Sequence, residues 1–280
     1  MKMKTNQLNY GIICDVGGKR KGNQDSLFFS EFDLIIAPGS PDSKQFSYKS
    51  ILAIICDGVS GSLKGEKGSN FVIRHLAAKI IGNLHLNNFD ISKELTNIQE
   101  FINQTNSELI NEFKDLKNTP QTTLAGFLVI GQWLWLFNLG DSRIFSVKDN
   151  KINQISVDHI GKSTSHEITQ SMGLNEVQPE LKIFNWAYQT ENEEDILSYK
   201  EKYYILACSD GLTDKVTNSE INEILNEHSE NKSIQEKVEN LYNLSMKRGN
   251  DDNISIIAVD LSKYFDSLSI IQKIKLQYEE

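Results

Sequence analysis

Ile51-Leu52-Ala53-Ile54-Ile55-Cys56-Asp57-Gly58 and Tyr203-Tyr204-Ile205-Leu206-Ala207-Cys208-Ser209-Asp210-Gly211 are the stretches that decide the fold. Each is a short, unbroken apolar run that stops at an aspartate and a glycine. Runs of this length bounded by turn residues read as strands buried in a core, which puts the carboxylates at strand ends. The pattern recurs: Trp133 to Phe137 leads into Gly140-Asp141, while Asp25 and Asp252 stand just before the apolar stretches 27–29 and 254–259. Strands that share a sheet or sandwich can bring such ends together. Two unit charges about 4 Å apart repel by roughly 4 kcal/mol at an effective dielectric near 20. A converged cluster of carboxylates therefore calls for a cation, and hard oxygen ligands favour Mg²⁺ or Mn²⁺.

Around these runs the order is strands, two helices, strands, two helices, strand. Strands are predicted at Tyr10 to Val16, Ser26 to Ile36 and Ser50 to Cys56, with Pro38 to Lys49 as a loop rich in Gly, Ser, Pro and Asp. Gly65 to Leu84 carries Val72, Leu76, Ile80 and Leu84 at helical spacing. Lys93 to Leu116 carries a longer stripe through Ile98, Ile102, Leu109 and Phe113. Such a stripe can dock a partner helix, but packing on the domain's own sheet is its commoner use. Further strands are predicted within 122–147, at 152–157, 203–208 and 254–261. Thr217-x-x-Glu220 and Ser233-x-x-Glu236 are capping boxes that open two helices, and Gly249 marks the end of the second. This order is not the strict alternation of a parallel doubly wound fold. It predicts an α+β architecture, a four-layer αββα sandwich of two antiparallel sheets with helix pairs outside. Residues 1–262 form one domain in this reading, and 263–280 a C-terminal helical tail.

Composition narrows the partners. The chain has 280 residues and a formal net charge of −9, which argues against bulk binding to nucleic acid or an anionic membrane. Lys19-Arg20-Lys21 stands out against that background, as an anion contact or simply a solvated turn. Cys14, Cys56 and Cys208 lack zinc-ligand spacing and suit core positions in a reduced compartment. The start of the chain is polar, without the apolar centre of a signal peptide. The expectation is a cytoplasmic monomer.

Singly, each Asp-Gly is an ordinary turn signal. Together, and in order, the chain shows Arg20-Lys21-Gly22-Asn23-Gln24-Asp25-Ser26, Asp57-Gly58-Val59-Ser60-Gly61, Thr122-Thr123, Gly140-Asp141-Ser142-Arg143, Asp158-His159, Ser209-Asp210-Gly211 and Asp251-Asp252-Asn253-Ile254. This set resembles the metal-dependent protein phosphatase 2C (PPM) family of serine/threonine phosphatases, in its bacterial form. The resemblance covers roughly residues 10 to 261. It implies a phosphoserine/phosphothreonine phosphatase with two Mg²⁺ or Mn²⁺ ions, and in some members a third, acting by direct attack of a metal-bridging hydroxide. By motif position, Asp57 would bridge both ions and the Gly58 carbonyl would bind one. Asp210 and Asp252 would complete the other ion's ligands, and Asp25 would act through bound waters. Asp141 and Asp214, with Asp210, would take the third ion, and Arg20 would grip the substrate phosphate. The implied partner is a phosphorylated protein, the target of a serine/threonine kinase or the kinase itself.

The chain departs from the family in places. Gln24 stands where many members have Glu, and Val59-Ser60 leaves no histidine after Asp57-Gly58. Ile168-Thr169-Gln170-Ser171-Met172-Gly173 resembles the flap segment with Gln170 in place of Arg. The acidic stretch Asn175 to Lys202 is expected to be a mobile flap and following loop that influence substrate choice. His159 is expected to orient the loop before the flap. Two other readings share the acidic cluster: a pseudophosphatase scaffold that binds phosphoproteins, and a hydrolase of small phosphoesters.

Overall fold

The computed structural model describes residues 9–36, 46–59, 64–86, 91–131, 133–148, 150–161, 167–185, 203–227 and 232–262. In chain order the strands and helices are β1 (Tyr10–Asp15), β2 (Ser26–Ile36), β3 (Phe46–Cys56), α1 (Gly65–Leu86), α2 (Ile91–Glu112), β4 (Leu124–Ile130), β5 (Trp133–Leu139), β6 (Arg143–Lys148), β7 (Lys151–Gln154), β8 (Glu180–Asn185), β9 (Tyr203–Cys208), α3 (Asp210–Thr213), α4 (Asn218–Asn226), α5 (Ile234–Lys247) and β10 (Ile254–Asp260). Ten strands make two antiparallel five-stranded sheets, ordered β1-β10-β9-β6-β7 and β2-β3-β4-β5-β8. The α+β sandwich expected from the element order is what forms.

Continuous apolar runs arise because the central strands are buried on both faces. In β3, Ile51, Ala53 and Ile55 point between the two sheets, while Leu52, Ile54 and Cys56 point outward under α1 and α2. In β9, Ile205 and Ala207 enter the inter-sheet core, while Tyr204, Leu206 and Cys208 meet α4 and α5. Three apolar layers thus alternate with four layers of secondary structure. Both capping boxes form, with the Thr217 and Ser233 side chains accepting from the Glu220 and Glu236 amides. Gly249, at φ +75°, ends the second of these helices as expected.

Some boundaries differ from the sequence reading. Residues 46–49, expected in a loop, extend β3, because β2 supplies pairing partners up to Phe46 opposite Ile36. The helix expected to reach Leu116 stops at Glu112, where the chain tightens and the Leu116 amide donates to the Phe113 carbonyl at 3.0 Å. The stretch expected to be wholly flap and loop contains β8, an edge strand paired along β5 from Asn138 opposite Glu180 to Trp133 opposite Asn185. Residues 186–202 and the expected helical tail, 263–280, lie outside the described residues.

One buried cation has a purely architectural use. Lys237 of α5 is 3% exposed and sends its ammonium to the Leu225 carbonyl and, at 3.4 Å, to that of Glu227. These carbonyls end α4, where helical partners run out. The ammonium also lies 5.3 Å from the centre of the Tyr204 ring. Lys237→Met leaves the buried Leu225 carbonyl without this donor. A loss of about 1–3 kcal/mol in urea unfolding is expected, and an unchanged midpoint would show that water replaces the ammonium without cost.

Candidate active site

The loops at one edge of the sandwich gather the sequence's aspartates. Asp25 sits just before β2, Asp57 just after β3, Asp141 between β5 and β6, Asp210 at the start of α3, and Asp252 just before β10. Antiparallel pairing puts these ends side by side: Ser26 lies opposite Cys56, and Ile256 opposite Cys208.

Asp57 is held by its backbone. Its amide donates to Thr123 Oγ1 at 2.9 Å, and its carbonyl accepts from Thr122 Oγ1 at 2.8 Å and from the Thr123 amide, also at 2.8 Å. Thr123 Oγ1 in turn lies 2.7 Å from Ser142 Oγ, which ties this corner to the Asp141 turn. Gly58 must be a glycine, since a Cβ there would stand 2.6 Å from the backbone of Gly65 at the start of α1. The loop carrying Arg20 and Asp25 is stitched by Asn253. Asn253 Nδ2 donates to the Val16 and Gly22 carbonyls, and its Oδ1 accepts from the Gln24 amide at 2.8 Å.

The electrostatics follow from this gathering. Burial, and then the charges of Asp25 and Asp210, push the Asp57 carboxyl well above the ordinary carboxylate range. Burial followed by the charges of Asp141 and Asp252 pushes Asp210 up to about 7. Asp25 and Asp141 are also raised, chiefly by burial. The Asp57 carboxyl thus interacts with those of both Asp25 and Asp210. Oδ1 atoms of Asp25, Asp141 and Asp210 are buried and accept no hydrogen bond.

All the sequence-predicted site residues are therefore neighbours. Asp214 is one helical turn from Asp210, its amide bonded to the Asp210 carbonyl at 2.8 Å. Arg20 lies over the cluster and pairs with Asp252 Oδ2 at 2.8 Å. Arg143 lies outside the acidic group and puts Nε and Nη2 on Asp158 Oδ2, at 2.9 and 2.7 Å. His159 exchanges bonds with the Asp141 turn, its amide donating to the Gly140 carbonyl and its Nδ1 accepting from the Gly140 amide. Among the described residues, no group of three His, Cys, Asp or Glu is already arranged to hold a metal ion. The donors nevertheless suit one. They are oxygens only, several are unpartnered, and their mutual repulsion is relieved by positive charge.

Sequence reasoning gave no role to the groups that hold the aspartates in place: Thr122, Thr123, Ser142, Ser209 and Asn253. Ser142, Ser209 and Asn253 each adjoin a site aspartate, and that adjacency was the available signal; Thr122 and Thr123 stand far from any of these aspartates in sequence.

Raised carboxyls have a measurable consequence. Asp57, Asp25 and Asp210 keep protons in the folded chain at pH values where the unfolded chain has released them. The stability they contribute is present at low pH and lost as pH rises from the ordinary value of 3.8 toward about 7. Glu220, drawn down from 4.5 to about 2 by Arg248 and Thr217, works in the opposite sense, and its contribution is complete above about pH 5. In chelator, urea midpoints are expected to fall by about 1–3 kcal/mol equivalent between about pH 5 and about pH 7.5. A flat profile would show that the carboxylates are ionised throughout.

Known proteins resemble this chain in sequence and in fold. The family model for protein phosphatase 2C matches residues 41–248. The chain is 25% identical to a putative protein phosphatase of Mycoplasma genitalium, over 90% of this chain and 94% of that one. It is 24% identical to the serine/threonine phosphatase stp of Listeria monocytogenes serotype 4b, over 75% of this chain and 84% of that one. In fold it is similar to the serine/threonine phosphatase of S. agalactiae, with a TM-score of 0.67 at 21% identity, covering 91% of this chain and 99% of that one. With the match to the family model spanning most of its length, the chain belongs to the protein phosphatase 2C family.

Proposed function

We propose that the chain is a Mg²⁺- or Mn²⁺-dependent phosphatase acting on phosphoserine and phosphothreonine in proteins phosphorylated by a serine/threonine kinase. The observation that carries this reading is the convergence of Asp25, Asp57 and Asp210 on one buried point beside Arg20. In this reading Asp57, the Gly58 carbonyl, Asp210 and Asp252 would hold two cations. Asp25 would orient water, and Asp141 and Asp214 with Asp210 would hold a third cation. Bound divalent cations supply Lewis acidity, which acidifies water near neutral pH and offsets negative charge on a phosphate ester.

The protein's own groups do the positioning. Arg20 presents a planar, always charged fork matched to two phosphoryl oxygens. The Thr122 and Thr123 hydroxyls fix the backbone on either side of the Asp57 peptide, so the central carboxylate has little freedom. Phosphorus is attacked in line by water, with the seryl or threonyl oxygen departing opposite. No cysteine is poised as nucleophile. Burial pushes the Cys56 thiol well up and the Cys208 thiol to about 12, so neither supplies thiolate near neutral pH.

Residues 1–262 form the phosphatase unit in this proposal, with 263–280 outside it. The unit is read as a cytoplasmic monomer that binds neither nucleic acid nor membrane. Among the described residues, no helix is long and apolar enough to cross a membrane.

Phosphate release from a phosphothreonine peptide in Mn²⁺ tests the reading. Asp57→Asn and Asp210→Asn are each expected to lose about 100-fold or more, the scale of removing a group that stabilises transition-state charge. Arg20→Ala is expected to raise KM as well as lower kcat, and a chain ending at residue 262 to keep its rate. Undiminished turnover in chelator would sink the proposal.

A further inference from the structure

Ser209 is fully buried where β9 gives way to α3, and its hydrogen bonds leave its hydroxyl no choice of direction. As an antiparallel partner of β10, Ser209 donates its amide to the Ser255 carbonyl at 3.0 Å. The returning rung would use the Ser209 carbonyl, but the chain turns into a helix at this point. That carbonyl instead faces the Leu212 amide at 3.3 Å. The side chain takes over the vacated rung, and the Ser255 amide donates to Ser209 Oγ at 2.9 Å. A hydroxyl has one hydrogen to give. With an amide donating to its oxygen, that hydrogen goes to its remaining neighbour, Asp25 Oδ2, at 2.9 Å. Asp25 Oδ1 is buried and accepts no hydrogen bond.

We infer that Ser209 is a positioning residue for the metal centre: its hydroxyl occupies one oxygen of Asp25 and presents the other to the site. The inference rests on the metal-dependent reading above. It gives Ser209 a task distinct from that of its neighbour Asp210. The bond also links the two sheets at the site, since Ser209 ends a strand of one and Asp25 precedes a strand of the other.

Groups that orient metal-binding side chains typically contribute about 10–100-fold in affinity or activity. Calorimetric titration of the full chain with Mn²⁺ is therefore expected to show Ser209→Ala binding about 10-fold or more weakly. Its kcat for a phosphopeptide should fall while KM stays the same. Ser209→Thr, which keeps a hydroxyl, should recover much of the Mn²⁺ affinity, and it serves as the working variant if Ser209→Ala does not fold. A double-mutant cycle separates positioning from simple structural support. If Ser209 acts through Asp25, Ser209→Ala has no further effect on Mn²⁺ binding once Asp25 is alanine. An equal loss in both backgrounds overturns the inference, because the unsatisfied Ser255 amide would then explain it. Wild-type Mn²⁺ affinity in Ser209→Ala also overturns it while leaving the phosphatase reading intact. A wild-type chain that binds no Mn²⁺ overturns both.

Discussion

Asp25, Asp57 and Asp210 are drawn out of water at one edge of the sandwich, and Asp57 feels the charges of both the others after the cost of its own burial. The arrangement is unfavourable in the bare protein, and the fold must hold it against that repulsion. Packing does so at a distance. Two sheets buried on both faces fix where each strand ends, and the aspartates sit in the turns those ends leave. A domain with looser sheets would let the carboxylates part. The rigidity of three apolar layers and the tension at the edge are therefore two sides of one design.

Close to the site, the restraint changes in kind from apolar contact to short hydroxyl and amide links. Thr123 connects the Asp57 peptide to Ser142, and Ser69 Oγ joins the Gln24 carbonyl at 2.6 Å while lying 3.0 Å from Ser26 Oγ. Hydroxyls fit this duty because they can both give and accept while adding no charge of their own. Arg20 contributes the opposite property. It brings a positive charge to Asp252, where the acidic group meets solvent.

Much of this was legible beforehand, and the reasons are local. Thr217 and Ser233 announce their helices because a capping box needs only four residues to be recognised. Asp57 and Asp210 stand out because long apolar runs stop abruptly at them. β8 was hidden for the opposite reason. Among its described side chains only Leu181 and Phe184 reach a core, and its strand character comes from the edge that β5 offers it. The hydroxyl of Ser209 was hidden too, since its partner lies 184 positions away in sequence. Chemistry-bearing side chains can be picked out of a sequence, but the groups that aim them are found only when distant strands are laid together.

The pairing of β1 with β10 sets Tyr10 opposite Val259, nearly the full described chain apart. On the ribosome, at about 5–20 residues per second, the chain emerges from its first residues onward. The sheet built from β2 to β8 has all its strands early, whereas β1 waits for a partner that is made last. β10 then enters as an interior strand, between β1 and β9. Asp252 and Asn253, which lead into β10, come out just before it and complete the acidic edge and the stitch across 16–24. Synthesis therefore has its own timer: a half-made molecule can hold one finished sheet and still lack the corner where chemistry would start.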